Sequence, residues 1–212
     1  NWLSSNNIVD LSTHGDSISI LTNVGLHVYD VIQSSFTGNS MMSAMGLNQD
    51  GMDLISWPTG GLRAPLESAL MVSDGSGKLA VLNASAVPQA LGDLLLATTP
   101  TNFEVYNVLE LNGVLYAAGD VCIDRFNVHT RSWMEPLFPE NGVISMTTDG
   151  SRLFSVGDEL SIDVWASNGS KIETITLGMS ANPTSLAWDS LTGSLLVAMG
   201  EDGLGRLEMS SG

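Results

Sequence analysis

A four-part unit recurs along this chain, and no other feature restricts its fold so strongly. The clearest copy spans residues 105–133. Val105–Leu111 is an apolar run closed by Asn112-Gly113. Val114–Ala118 is a second run, closed by Gly119-Asp120. Val121–Val128 is a third, followed by the polar turn His129-Thr130-Arg131, and Trp133 opens a fourth. Short apolar runs bounded by Gly, Asp and Asn read as strands joined by hairpins. An Asn-Gly pair is a strong hairpin signal because both residues tolerate positive φ.

The copies align in register. Leu153–Asp158 repeats Leu115–Asp120, and Leu196–Gly200 repeats it again. A bulky third-strand residue recurs at Tyr29, Leu82, Phe126, Trp165 and Leu207. Three positions before each stands an aliphatic one: Leu26, Leu79, Ile123, Ile162 and Leu204. The intervals between these are 53, 44, 39 and 42 residues. A period near forty with four strands per repeat predicts a β-propeller. A lone four-stranded sheet cannot bury either face, whereas radial stacking buries both. The competing architecture is a β-sandwich with irregularly spaced turns.

The two ends of the chain extend this pattern. Phe126 to Trp133 is a step of seven, as are Tyr29 to Phe36 and Trp165 to Ile172. Counting from Leu207 to Gly212 and on to Trp2 also gives seven. The expected fold is therefore all-β: a five-bladed propeller, four antiparallel strands per blade, with residues 1–5 as the strand that closes the last blade. The blades are placed at about 8–45, 52–100, 103–138, 142–178 and 183–212, within one domain.

With 212 residues, five repeats leave no linker or second domain. No apolar run is long enough for a membrane-spanning helix. Net charge is −16, with two lysines and five arginines. Such a chain repels phosphate backbones and anionic membrane surfaces, so neither nucleic-acid binding nor membrane insertion is expected. Cys122 is the one cysteine, which rules out an internal disulfide and reads as a small buried apolar residue.

Segment Gly119–Trp133, with Phe126, Asn127, Thr130 and Trp133, resembles a kelch repeat, in which an aromatic residue, a short turn and a Trp take similar places. It is also similar to the short propeller repeats of bacterial sensor proteins. Kelch repeats usually carry a double Gly after the second strand, whereas single glycines stand at 119, 157 and 200. No repeat carries the Gly-His and Trp-Asp pairs of WD repeats. The resemblance implies a ring with a central channel, used most often for protein or carbohydrate recognition.

Candidate site residues follow from the repeat. Inter-strand loops carry function in such folds, and blade two has inserted residues at 58–67 and 84–100. Trp57, Arg63, Glu67 and Asp93 are therefore the candidate binding residues. If the first strands line the channel, Asp10 and Glu110 could form the carboxylate pair of a glycosidase. The turn-glycine register sets them at different depths on non-adjacent blades. Asp189 is a third channel-strand candidate, and Asp53 and Glu104 lie near strand starts. Met41, Met42 and Met45 read as a loop folded back on the core. Asn48, Asp50 and Asp53 form a weak calcium-loop pattern that lacks the closing Glu. His14, His27 and His129 show no convergence, so no metal site and no cofactor is expected.

The sequence thus points to a non-catalytic recognition or scaffold module. It would bind a protein or carbohydrate partner through its loops or channel, as a monomer within a larger extracellular or cell-surface protein. A channel-based glycosidase and a sugar-binding lectin are the alternatives.

Overall fold

A computed structural model describes the chain except for residues 1, 2, 4, 6, 46, 48–50, 58–68, 75–77, 84–96, 102, 103, 128, 131, 141, 158, 179–181 and 210–212. Four sheets have four strands each, in simple antiparallel order. Blade one holds β1 (Ile8–His14), β2 (Ser17–Thr22), β3 (Gly25–Asp30) and β4 (Ser35–Met41). Blade two holds β5 (Gly51–Trp57), β6 (Ala69–Asp74), β7 (Lys78–Asn83) and the two-residue β8 (Ala97–Thr98). Blade three holds β9 (Val105–Leu111), β10 (Val114–Gly119), β11 (Ile123–Asn127) and β12 (Ser132–Leu137). Blade four holds β13 (Ser145–Thr148), β14 (Arg152–Val156), β15 (Ser161–Ala166) and β16 (Lys171–Thr176). A further sheet has three strands, β17 (Ser185–Asp189), β18 (Ser194–Ala198) and β19 (Leu204–Glu208).

The first strands follow one another side by side: β1 beside β5, β5 beside β9, β9 beside β13 and β13 beside β17. This is β-propeller architecture, with blades stacked face to face. The third-strand register lies where the repeat puts it. Tyr29 pairs with Ile18, Leu82 with Leu70, Phe126 with Leu115, Trp165 with Leu153 and Leu207 with Leu195. Asn112 and Gly113 adopt φ of 53° and 78°, the positive angles that a two-residue turn between β9 and β10 requires.

The expectation of five four-stranded blades closed by the N-terminus is overturned. Among the described residues, four complete four-stranded blades are present, not five, and the last sheet has three strands. Leu3 lies in a bend, and Ser5 and Asn7 are irregular. The Asn7 carbonyl accepts the amide of Asn23 at 3.2 Å, which keeps the segment entering β1 beside blade one. Trp2 lies outside the described residues. Among those residues, no packing between β17 and β1 matches that joining the other first strands. The seven-residue count failed for a physical reason. Spacing fixes which residues pair within a sheet, but the angle between neighbouring sheets depends on twist and on the side chains at each seam. A count along the chain carries no information about that angle.

The core lies in the seams. Leu21, Leu26 and Val28 of blade one pack with Met42, Met45, Leu47 and with Ala80 of blade two. Met42 and Met45 fold onto the core, while Met41 is exposed. Leu111, Tyr116, Ala118 and Ile123 meet Val143, Met146, Leu153 and Trp165 between blades three and four. Phe154, Val156, Ile162 and Val164 meet Leu186, Leu195 and Val197 on blade four's other side. Alternation along β14 and β15 explains the division, since successive side chains point to opposite faces. Leu153, Ser155, Asp163 and Trp165 therefore face blade three, and Phe154, Val156, Ile162 and Val164 face the last sheet.

Candidate functional site

The structure does not bring the two carboxylates of the glycosidase alternative together. Asp10 lies in β1 and Glu110 in β9, with β5 between those strands. Both carboxylates serve their own backbone. Asp10 Oδ1 accepts the Leu11 amide at 2.7 Å, and Glu110 Oε1 accepts the Gly113 amide at 2.7 Å. Asp189 does the same for Leu191 at 3.0 Å and also binds the Thr192 hydroxyl. In β9 and β17, acids at the strand end thus hold the hairpin turn. Trp57 ends β5, and Arg63, Glu67 and Asp93 lie outside the described residues, as do Asn48 and Asp50 of the calcium pattern. Among the described residues, no cluster of His, Cys, Asp and Glu could hold a metal ion.

The buried cysteine fits its sequence reading in character but sits just before β11 rather than in it. Burial, then the neighbouring Asp124 carboxylate, push the Cys122 thiol up to about 12. Asp124 is itself buried, and its Oδ2 accepts the Thr101 amide at 3.2 Å.

Strand order separates two ends of the molecule. At one end lie the hairpin turns between first and second strands and between third and fourth. At the other lie the second-to-third turns and the passages from blade to blade. In the second half of the chain these latter connections are residues 99–104, 120–122, 138–144, 157–160, 177–184 and 199–203. They carry Glu104, Asp120, Glu140, Asp158, Glu159, Glu201 and Asp202, and not one Lys or Arg. Glu104, Asp120, Glu140, Glu159, Glu201 and Asp202 are exposed. The cations of blade four and the last sheet stand on strands, not in these connections. Arg152 pairs with Asp149 at 2.7 Å, Lys171 with Asp163 at 2.8 Å, and Arg206 Nε donates to Ser194 Oγ at 2.9 Å. The connection end therefore has a one-signed field that the sequence reading, drawn to the blade-two insertions, did not single out. The signal was present: once strands are assigned, the charge of each connection can be read directly.

Within this end, the seam between blades three and four opens into a cavity of about 270 Å³. Its walls include Glu140 and Gly142 from the inter-blade passage, Gly157 and Glu159 from the β14–β15 turn, and Ser155, Asp163, Lys171 and Thr174 from blade four's strands. The passage is fixed by the Val143 amide, which donates to the Gly119 carbonyl at 3.2 Å. Gly142, at φ 66°, lets it press against Asp120, whose carbonyl a β-carbon would meet at 3.3 Å. Inside, the Trp165 indole N–H donates to Ser155 Oγ at 2.9 Å. Thr174 Oγ1 and Lys171 Nζ both bond Asp163 Oδ1 at 2.8 Å, and the ammonium lies 5.8 Å from the Trp165 ring centroid. A second cavity of about 410 Å³ lies along the same seam, lined by Arg125, Glu135, Phe138 and Asn168 among others.

Scanned against family models and against curated proteins, the sequence has no match. Its fold does. The WD40 β-propeller domain of Doa1 superposes with a TM-score of 0.72 at 16% identity, covering 96% of this chain and 64% of that one. A chain of a mitotic checkpoint complex superposes with a TM-score of 0.76 at 16% identity, covering 96% and 62%. This chain spans less than two-thirds of the length of either. Identity this low shows the fold alone: a β-propeller. The first of these neighbours is a WD40 propeller, and neither lends support to the kelch resemblance of Gly119–Trp133.

Proposed function

We propose that this chain is a non-catalytic recognition module whose acidic connection end binds a protein partner with a basic surface. One observation carries the reading: six exposed acids stand in five of six successive connections at one end, and none of the six connections carries a Lys or Arg. Like charges gathered on loops raise self-repulsion, and a cationic partner relieves it while gaining a steered approach. Propeller loops are displayed by a rigid scaffold, which suits recognition. The structural neighbours, one a WD40 propeller domain and the other a chain from a protein complex, support a protein partner rather than a sugar. The glycosidase alternative loses support because Asp10 and Glu110 lie on strands separated by β5 and each holds a backbone amide.

The test uses a randomised peptide library displayed on phage, selected against the intact chain. Lys- and Arg-bearing peptides are expected to be enriched. The variant Glu140→Lys/Glu159→Lys/Glu201→Lys/Asp202→Lys should lose them, and salt should weaken their binding to the wild type. Peptides with no basic bias, or equal binding to the reversed variant, would refute the reading. So would saturable binding on a glycan array without any peptide selection.

A further inference from the structure

We infer that the cavity between blades three and four receives an arginine or lysine side chain from the partner, a step that rests on the recognition reading above. Its size is the first argument. About 270 Å³ falls just below the range of pockets for drug-sized ligands, and suits one long side chain with a few waters.

Charge is the second. Three carboxylates line it, from Glu140, Glu159 and Asp163, against the single ammonium of Lys171. That ammonium is bound to Asp163 at 2.8 Å and rests near the Trp165 ring, so its charge is already neutralised. Among the described residues, neither Glu140 nor Glu159 has a cationic partner. An anionic ligand would have to pass those two carboxylates to reach a cation that is already paired.

Hydrogen-bonding capacity is the third. Ser155 is 2% exposed, and its oxygen accepts the Trp165 indole N–H. A hydroxyl oxygen has two lone pairs and one hydrogen, and no second bond to Ser155 forms among the described residues. It offers an acceptor at the inner wall for a guanidinium or ammonium whose charge faces Glu140 and Glu159 at the mouth. Gly142 and Gly157 place no side chain across the opening.

Titration of the intact, ¹⁵N-labelled chain with Nα-acetyl-arginine amide tests this by NMR. Saturable shifts are expected at the Trp165 indole N–H and at the Gly142 and Gly157 amides. The uncharged isostere Nα-acetyl-citrulline amide should bind at least about tenfold more weakly, and Glu140→Gln/Glu159→Gln should weaken arginine binding by a similar factor. Glu208→Gln, at an exposed position of β19 outside the connection end, should change it by less than about twofold. Lys171→Gln frees Asp163 and should strengthen it. The amide spectrum of each variant reports its fold in the same experiment. No saturable shift, equal citrulline affinity, indifference to Glu140→Gln/Glu159→Gln, or weakening by Lys171→Gln would each overturn the inference. If basic peptides still bind the loops while arginine leaves the cavity signals unmoved, the cavity assignment falls and the recognition reading stands. If the phage selection also shows no basic bias, both fall.

Discussion

The guanidinium of Arg125 lies directly on the Cα of Gly169, reaching from blade three beneath the β15–β16 turn of blade four. Its Nε donates to the Glu135 carbonyl at 2.8 Å and one terminal nitrogen donates to the Asn168 carbonyl at 3.2 Å. A β-carbon at Gly169 would collide with that guanidinium, and Gly169 has φ 93°, a conformation L side chains rarely adopt. Gly169→Ala is therefore expected to destabilise the fold by about 1–3 kcal/mol from backbone strain, with a further loss from the displaced Arg125. Urea unfolding checks the size of the loss. In an Arg125→Ala background the same substitution should cost less, because only the backbone part remains. Equal costs in both backgrounds would show that the two residues do not act on each other.

The bond between Trp165 and Ser155 ties second and third strands together inside a buried seam. Ser155→Ala leaves the indole N–H without an acceptor, and a buried donor left unpaired costs about 1–3 kcal/mol. Trp165→Phe removes the donor along with ring area. The double variant should lose less than the sum of the two, since the orphaned donor is then gone. Thermal unfolding of the three variants measures this, and additive losses would mean the bond contributes nothing.

Particular residues show how far the sequence carries. The bulky third-strand positions, Tyr29 to Leu207, sit in equivalent pairs because a repeat of period near forty leaves few other ways to bury two-sided sheets. Asn112-Gly113 was legible because the turn chemistry is local. The number of complete blades was not, since the angle between sheets is set by packing across seams and not by spacing. The turn hydrogen bonds of Glu110 and Asp189 were not legible for a related reason. A carboxylate near a strand end looks the same in sequence whether it faces a channel or caps its own hairpin, and only the turn geometry separates these. The cavity needed both faces of one seam, Ser155 and Asp163 against Glu140, residues from separate strands whose convergence no linear pattern displays.

Acid should destabilise the fold in two stages. Burial lowers the pKa of His27 below its ordinary 6.5. Below pH 6.5 the unfolded chain takes up a proton that the folded chain resists, so stability is full above 6.5 and declines as pH falls toward the folded value. His27→Gln should flatten the dependence between about pH 7 and 5. Asp149 acts in a lower window. Burial pushes its carboxyl up, but the amides and side chains of Arg152 and Ser151 together hold it below its ordinary 3.8. Its contribution is present above 3.8 and is lost as pH falls through the folded value. Asp149→Asn should therefore reduce stability at neutral pH and remove part of the loss below pH 4. Chemical unfolding followed across pH 3–8 resolves the two stages, and an unchanged profile in His27→Gln would reject the first.

Cys122 provides a direct readout of opening near the connection end. The thiol is fully buried and held near pKa 12, so both access and ionisation oppose attack by an electrophile. The thiolate is the reactive form. At pH 8 a solvated thiol is ionised to roughly a quarter, given an ordinary value near 8.5, whereas a thiol at pKa 12 is ionised to about one part in ten thousand. Iodoacetamide should therefore leave the native chain unlabelled over a period in which the urea-unfolded chain reacts fully, as mass spectrometry will show. Gly142→Val strains a residue at φ 66° and presses on the Asp120 carbonyl two positions from Cys122. It should speed native-state labelling before it lowers global stability, because local opening of the passage exposes the thiol first. If labelling instead tracks the global unfolding constant in both proteins, the region around Cys122 opens only with the whole fold.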